Sequence, residues 1–193
     1  MKGVIFNVFE NFVVETFGED VLEDIVADTT IETTEPFVGP GTYPAGDLVA
    51  LVVTAAAKLG VTVDEALQAC GRHAFPTLAG AVPSLMAHFD DLEAFLLGLE
   101  SVVHTEVRKL DQDASPARFA VERIGDGELL MHYASPFGLF GLVHGLLDGA
   151  GDWFETEFTH EMVSSEGTNA TFRIVLADGR TTQTPADGIP VDA

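Results

Sequence analysis

The segment HYASPFGLF, residues 132 to 140, carries two hydroxyl side chains whose spacing could do chemistry. Tyr133 and Ser135 lie two residues apart in an alternating segment, which predicts a β-strand. Side chains alternate between the faces of a strand, so both hydroxyls are expected on one side, where each can donate a hydrogen bond. Two convergent donors suit a carboxylate or a phosphate. A core tyrosine followed by a serine that begins a helix gives the same pattern, so both interpretations stay open.

The second candidate is His104, which lies in an amphipathic segment. Its apolar residues recur at helical spacing and predict one long helix over residues 90–110. His104 shares a face with Leu97, Glu100 and Arg108, which is the setting either of a boundary histidine or of a ligand. The six histidines form no HxxxH or HExxH grouping, so a hydrolytic metal site has little support. One imidazole with two hydroxyls suits a bulky, largely apolar ligand with acidic ends, a description that fits haem.

Composition excludes several classes of partner. The 193-residue chain has the length of one domain, and its formal net charge of −22 opposes binding to nucleic acid or to an anionic membrane. A single cysteine, Cys70, excludes a disulfide framework and a zinc site built on several thiolates. Polar residues interrupt every apolar run before the roughly 18 residues of a membrane span, and the N-terminus lacks the apolar region of a secretory signal. We therefore expect a cytoplasmic protein.

The hydrophobic period changes from helical to alternating after the long helix. Helices are predicted over 4–17, 20–27, 47–59 and 63–72. Thr62 and Glu65 form a capping box for the last of these helices. The irregular segments are a loop over 29–47 and a broken segment over 76–89. Two hairpins should follow, turning at Gly125-Asp126-Gly127 and at SSEG. Between them lies a predicted glycine-rich helix over 136–151, capped by Ser135.

The predicted fold class is α+β. An N-terminal helical subdomain precedes the long histidine-bearing helix and a small four-stranded antiparallel sheet crossed by one helix. We expect a single domain over residues 1–180 and a flexible C-terminal tail over 181–193.

These segments resemble the haem nitric oxide/oxygen binding (H-NOX) domain family. The resemblance covers MKGVIFNVFENFVVETFGEDV, LGVTVDEALQACGRHAF, HTEVRKL, SPARF, and ELLMHYASPF running into GLVHGLLDGAGDWF, or residues 1 to about 176. It implies a haem b whose iron is held by His104 and whose propionates meet a Y-x-S-x-R motif. Tyr133 and Ser135 match the first two members of that motif, and Phe137 replaces its arginine.

The missing arginine weakens the implied site without abolishing it. A hydrogen bond to a charged group contributes about 1.5–3 kcal/mol, so its loss costs about ten- to several-hundred-fold in affinity. Burial of about 400 Å² of porphyrin contributes on the order of 10 kcal/mol, so haem binding is expected to persist. Other cations could meet a propionate, although nothing in the sequence places them there. They are Arg108, Lys109, Arg118 and Arg123, with His144 as a weaker candidate.

The resemblance also implies gas selectivity. Oxygen-binding members carry a distal tyrosine where this chain has Leu142, and an apolar residue offers oxygen no hydrogen bond. Four further residues match positions that line the family's pocket, although ordinary core residues would look the same: Ile5, Phe9, Ala74 and Leu78. A proline pair that bends the haem in the family is reduced here to Pro116-Ala117.

The implied function is a sensor that binds nitric oxide, with carbon monoxide as a second gas, and excludes oxygen. Nitric oxide weakens the bond from iron to His104 and frees the 90–110 helix to shift. By resemblance to stand-alone bacterial members, the partner is a histidine kinase or a cyclic-di-GMP enzyme. The alternative is a haem-free binding module, in which Phe137 marks loss of the cofactor. An enzyme is disfavoured because no nucleophile–base or paired-carboxylate grouping stands out.

Overall fold

The computed structural model describes residues 1–105 and 117–177. In these ranges the helices are α1 (Gly3–Phe17), α2 (Glu19–Asp28), α3 (Ala45–Leu59), α4 (Val63–Gly80), α5 (Pro83–Met86), α6 (Leu92–Gly98), a π-helix named π1 (Leu99–His104) and α7 (Phe140–Trp153). The strands are β1 (Arg118–Gly125), β2 (Glu128–Ala134), β3 (Phe158–Glu166) and β4 (Asn169–Leu176). The α+β prediction is confirmed. The predicted tail over 181–193 and the domain end at 180 lie outside the described residues.

A sharp turn joins α3 to α4. Gly60 ends α3 with a left-handed φ of 71°, a conformation that glycine adopts without strain. The predicted capping box then begins α4: the Thr62 hydroxyl accepts from the Glu65 amide at 3.2 Å, and the Glu65 carboxylate accepts from the Thr62 amide at 2.8 Å. Within the described ranges no single helix is long and apolar enough to cross a membrane; only α3 and α4 taken together reach that length, and they are bent by 107°.

Besides the long histidine-bearing helix, two predicted helices have bounds that differ from the structure by more than two residues. α4 continues through Pro76 to Gly80 instead of ending at residue 72, because its packing against α7 stabilises the extra turns despite the proline. The helix predicted over 136–151 begins only at Phe140. The Ser135 hydroxyl accepts from the Phe137 amide at 3.2 Å and forms a local turn, and Gly138 follows with a φ of 61°.

The four strands form one antiparallel sheet in the order β1-β2-β4-β3. Tyr133 is paired with Phe119 on one side and with Ala170 on the other. The β3–β4 turn is formed by Gly167-Thr168, because the strands extend through most of the predicted SSEG turn. One face of the sheet is buried against apolar residues of α7. The buried strand residues are Leu129, Met131, Tyr133, Ala170, Phe172 and Ile174.

Two hydrophobic clusters lie on either side of the α4–α7 pair. The first cluster joins α1, α2 and α3 to one face of α4, and Leu142 of α7 packs against it. The second cluster joins the sheet and α6 to the other face of α4, which contributes Phe75, and to Val143 of α7. The two helices therefore form a shared wall between the helical subdomain and the sheet.

Glycines bring the backbones of α4 and α7 into contact. Gly141, Gly145 and Gly149 follow at four-residue intervals, so they share one face of α7. A Cβ atom at Gly141 would lie 2.6 Å from the Asp64 carbonyl oxygen, and one at Gly145 would overlap the Gln68 carbonyl oxygen. This close approach therefore requires glycine.

A buried carboxylate anchors the loop before α3. Asp47 is 3% exposed and accepts from the Glu32 amide at 2.9 Å and the Thr33 amide at 3.0 Å, with a further bond from the Thr33 hydroxyl. Burial alone raises the pKa of Asp47, but these hydrogen bonds outweigh it and the pKa is lowered. The loop is thus held by a charged acceptor that the sequence analysis did not identify.

Replacement of Gly145 by alanine tests the α4–α7 contact. Gly145→Ala should lower the free energy of unfolding by about 1–3 kcal/mol, because the added methyl group forces the two helix backbones apart. The measurement is urea unfolding followed by circular dichroism. Gly46→Ala is the control, because a Cβ at this α3 position meets no atom within 4 Å; it should leave stability unchanged or raise it by up to about 1 kcal/mol. Equal stability of the two variants would contradict the backbone contact.

Candidate functional site

His104 lies at the C-terminal end of π1. The preceding α6 is capped by Asp91, whose side chain accepts from the Ala94 amide at 2.8 Å. Instead of continuing as the predicted α-helix, the chain widens into π1 at Leu99. Such π-segments are rare and often occur at functional sites, because they turn side chains away from the α-helical positions. The His104 side chain is 14% exposed, so its ring lies mostly inside the protein.

A carboxylate holds one ring nitrogen of His104. The Nδ1 atom lies 3.1 Å from Oε2 of Glu100, and the same oxygen accepts from the Phe119 amide at 3.2 Å. An ionised carboxylate can only accept, so this contact favours the tautomer with the proton on Nδ1 and the lone pair on Nε2. Metal-binding histidines commonly show this arrangement. The sequence analysis placed Glu100 on the His104 face but gave it no role; its four-residue spacing from His104 was the available signal.

Aromatic rings connect His104 to Tyr133. The His104 ring lies 5.5 Å from the Phe119 ring, Phe119 lies 5.5 Å from Tyr133, and Tyr133 lies 5.9 Å from Phe140, all between ring centroids. This row of rings runs from π1 across β1 and β2 to the start of α7. The structure therefore places the predicted imidazole and the predicted phenol on one side of the sheet.

The two hydroxyls predicted to lie side by side do meet. Tyr133 is buried, and burial raises the pKa of its phenol; hydrogen bonds with the Ser135 side chain and the Leu139 backbone only partly offset this effect. Tyr133 is therefore a neutral phenol near pH 7. Both hydroxyls can turn their protons toward an acidic group, since hydroxyl rotors adapt to their partners.

Phe137 does not occupy the interior. Its side chain is 41% exposed, whereas that of Tyr133 is buried. Arg118 pairs with Ala134 across the strands, which places it on the opposite face of the sheet from Tyr133. Arg123 bonds instead to Glu93, with Nε 2.7 Å from Oε1. The other two predicted cations, Arg108 and Lys109, lie outside the described residues.

The apolar residues matched to the pocket form a separate group. They all belong to, or pack against, the first hydrophobic cluster, whereas Tyr133 belongs to the second. The two groups approach at the start of α7, where Phe140 packs with the second cluster and Leu142 with the first. Pro116 lies outside the described residues. The members of the apolar group are Ile5, Phe9, Ala74, Leu78 and Leu142.

His144 has partners that the sequence did not predict. Its Nδ1 atom lies 2.9 Å from Nδ1 of His160, whose Nε2 atom lies 2.7 Å from Oδ1 of Asp148. The Gln68 amide donates to the other Asp148 oxygen at 2.8 Å. Burial, followed by the nearby His160, lowers the pKa of His144. His144 is thus part of a polar cluster between α4, α7 and β3, and it is not placed beside Tyr133.

The described residues contain no group of three or more His, Cys, Asp or Glu side chains that could hold a metal ion. An iron carried by a macrocycle needs only one imidazole from the chain, as with the proximal histidine of globins. His104, with Nδ1 on a carboxylate, offers the chemistry of such a ligand.

Comparisons with known proteins agree with this chemistry. A sequence model of the family described as Haem-NO-binding matches residues 2–162. The H-NOX protein of Shewanella oneidensis in the Fe(II)NO state is 25% identical, with a TM-score of 0.85 over 92% of this chain and 100% of that one. The unliganded Fe(II) H-NOX protein of K. algicida is 28% identical, with a TM-score of 0.83 over 95% and 100%. A search of curated proteins finds no significant match.

The His144 cluster predicts a pH dependence of stability. The folded-state pKa of His144 is lowered, so the unfolded chain takes up more protons as the pH falls below about 6.5. This contribution to the free energy of unfolding is present above about pH 6.5 and is lost below it, although the charges of Asp148 and Asp64 oppose the shift. Urea unfolding at about pH 7.5 and 5.5 measures the loss.

Two variants separate this effect from general acid sensitivity. His144→Gln should show a smaller loss of stability between the two pH values than the wild type. His88→Gln is the control, because His88 is exposed and bonds to the Ser84 carbonyl outside this cluster. The same pH dependence in all three proteins would show that His144 does not titrate as its surroundings indicate.

Proposed function

The chain belongs to the haem-NO-binding family, whose H-NOX fold is that of a haem-binding gas sensor. From this premise we propose that the chain binds nitric oxide at a ferrous haem b ligated by His104, and that it excludes oxygen. The observation that carries the proposal is the mostly buried His104 ring at the end of π1, with its Nδ1 atom on the Glu100 carboxylate. That arrangement leaves the Nε2 lone pair as the donor for iron.

The side chains around His104 fit haem in kind. A macrocycle with two carboxylates needs an imidazole near its centre, hydrogen-bond donors at its edge and apolar groups over its faces. His104 supplies the first, and Tyr133 with Ser135 supplies the second. We expect the propionate contacts to be fewer than the family motif provides, since Phe137 donates no side-chain hydrogen bond.

His104 and the apolar residues of the first cluster lie in different parts of the fold, which supports a haem whose two faces have different neighbours. His104 packs on the sheet side, whereas Ile5, Phe9 and Leu142 belong to the helical subdomain. We propose that a ligand held by His104 reaches these apolar side chains at the start of α7, where the two clusters approach each other. Haem, when bound, supplies a ferrous iron that takes up a diatomic gas. The apolar residues then decide which gas is retained, because none of them can donate a hydrogen bond.

Selectivity for nitric oxide is inferred from Leu142. This residue packs in the first cluster on α7, at the position where oxygen-binding members of the family resemble one another in carrying tyrosine. A leucine there gives oxygen no hydrogen bond, and nitric oxide needs none. Similar proteins have been solved with nitric oxide and with carbon monoxide on Fe(II), which supports both gases as ligands here.

The proposed output is a change of shape rather than catalysis. His104 is the last residue of π1, which follows α6 directly. Release of its ring would therefore free the segment formed by α6 and π1 to move against β1. A few kcal/mol between two states is enough for such a switch. We propose that a separate histidine kinase or cyclic-di-GMP enzyme detects the change in the bacterial cytoplasm, and that residues 1–180 act as one sensor domain. The acidic surface makes nucleic acid an unsuitable partner.

A haem-free binding module is the second candidate. Two observations favour it: Phe137 replaces the family arginine, and neither Arg118 nor Arg123 lies beside Tyr133. An absorption spectrum of the purified protein distinguishes the two functions. A sensor shows a Soret band that moves with nitric oxide and not with oxygen. Absence of the band after reconstitution with haem would favour the module.

Replacement of His104 by glycine tests the iron ligand. His104→Gly should lose most of its haem, because the one side chain that binds iron is removed, and free imidazole added during expression should restore it. The measurement is the ratio of Soret to protein absorbance in purified samples. His88→Gly, at an exposed histidine, is the control and should keep full haem content. Full haem content in His104→Gly without imidazole would exclude His104 as the sole anchor.

Replacement of Leu142 by tyrosine tests the basis of oxygen exclusion. Leu142→Tyr should bind oxygen measurably, because its phenol hydroxyl adds a donor worth about 1.5–3 kcal/mol toward a charged acceptor, or about 10- to 150-fold in affinity. The measurement is the visible spectrum of the ferrous protein in air. Leu142→Phe is the matched control, since it has the same ring without the hydroxyl. An oxygen-inert tyrosine variant would show that distal polarity does not exclude the gas.

A further inference from the structure

Glu100 joins two elements, π1 and β1, through a single carboxylate oxygen. Its Oε2 atom lies 3.1 Å from Nδ1 of His104 and accepts from the Phe119 amide at 3.2 Å. The Glu100 side chain is 33% exposed, so water reaches this pair only in part. Phe119 lies on β1, an edge strand of the sheet, and is paired there with Tyr133. The carboxylate therefore ties the end of π1 to the strand that neighbours the hydroxyl pair.

We propose that Glu100 is a positioning residue for His104, fixing the ring tautomer and orientation, strengthening its bond to iron, and coupling its movement to β1. The proposal rests on the proposed function, in which His104 is the haem ligand. Glu100 is not itself expected to touch haem.

The carboxylate acts first on the chemistry of the ring. A carboxylate that accepts from Nδ1 draws that proton toward itself and makes Nε2 more basic than a neutral acceptor would. A more basic imidazole binds iron more strongly and stabilises the oxidised metal relative to the reduced one. Removal of the negative charge should therefore weaken the iron–histidine bond and raise the reduction potential.

The Glu100 carboxylate also determines how a movement of the His104 ring reaches β1. The His104 ring contacts the Glu100 carboxylate and the Phe119 ring, and these contacts hold its orientation at the end of π1. Because Oε2 is also fixed by the Phe119 amide, rotation of the ring pulls on β1 rather than on solvent. The proposed switch thus has a direct route from His104 to the sheet.

A nearby acid offers a matched control. Glu93 lies on α6, and its carboxylate bonds to Arg123 of β1 at 2.7 Å. It makes the same kind of connection between the helical segment and β1, but its carboxylate bonds to a guanidinium and not to the amide that shares Glu100 with His104. Glu93→Gln therefore changes one charge on the same segment and leaves the His104 environment in place.

The first test uses the haem-free protein. At about pH 8.5, above the ordinary pKa of histidine, ¹⁵N spectra of the His104 side chain report which nitrogen carries the proton. The wild type, Glu100→Gln and Glu93→Gln should show the proton on Nδ1, since a glutamine oxygen can still accept. Glu100→Ala should shift the population toward the Nε2-protonated form. An unchanged tautomer in Glu100→Ala would overturn the positioning role, whether or not the protein binds haem.

The second test uses the ferrous protein loaded with haem. Resonance Raman spectra should show a lower iron–histidine stretching frequency in Glu100→Gln and Glu100→Ala than in the wild type, and haem affinity of the alanine variant should fall about 10- to 100-fold. Glu93→Gln should match the wild type in both. The same frequency in wild type and Glu100→Gln would overturn the electronic effect.

The outcomes separate this inference from the function on which it rests. Full haem content in His104→Gly contradicts the proposed ligand, whereas unchanged Glu100 variants in a protein whose haem depends on His104 contradict only the role of Glu100. Glu100→Gln is nearly the same size as the native side chain and keeps the test valid if Glu100→Ala fails to fold.

Discussion

The backbone contact between α4 and α7 is the constraint on which the rest of the fold depends. Glycines at 141, 145 and 149 let the two helices approach until carbonyl oxygens of α4 lie where side chains would otherwise be. Because the pair is so closely packed, its two outer faces are free to support separate hydrophobic clusters. The helical subdomain can thus present apolar residues on one side, while the sheet positions Tyr133 and π1 positions His104 on the other.

The strong excess of acidic residues shapes the candidate site. Three described arginines are bound to carboxylates: Arg72 to Asp152, Arg123 to Glu93 and Arg173 to Glu128. Near Tyr133 the candidate site instead offers the Tyr133 and Ser135 hydroxyls and the His104 imidazole. An acidic ligand edge would be held by polarity and by burial of apolar surface more than by ion pairing. That balance is consistent with a site in which Phe137 has replaced a cation.

Two histidines, His104 and His144, lie in contrasting settings. His104 has a carboxylate on one ring nitrogen and lies at the end of a π-helix, which suits a ring that must be oriented and also released. His144 is held by His160, which in turn bonds to Asp148, and these contacts connect α7 to β3 within the packed structure. The first setting is one that metal-binding histidines commonly show, whereas the second pairs polar atoms inside the packed structure.

The sequence by itself determined the elements governed by local interactions: the α+β order, the Thr62–Glu65 capping box and the shared side of Tyr133 and Ser135, because periodicity and capping act over a few residues. Tertiary structure decided the helix bounds that these local interactions leave open. Packing against α7 lets α4 continue beyond Pro76. The turn in which the Ser135 hydroxyl accepts from the Phe137 amide precedes α7, which therefore begins only at Phe140. The four-residue spacing of Glu100 and His104 was visible in the sequence, but only the folded chain brought the Phe119 amide of β1 to the same carboxylate oxygen, since that contact depends on how separate elements pack.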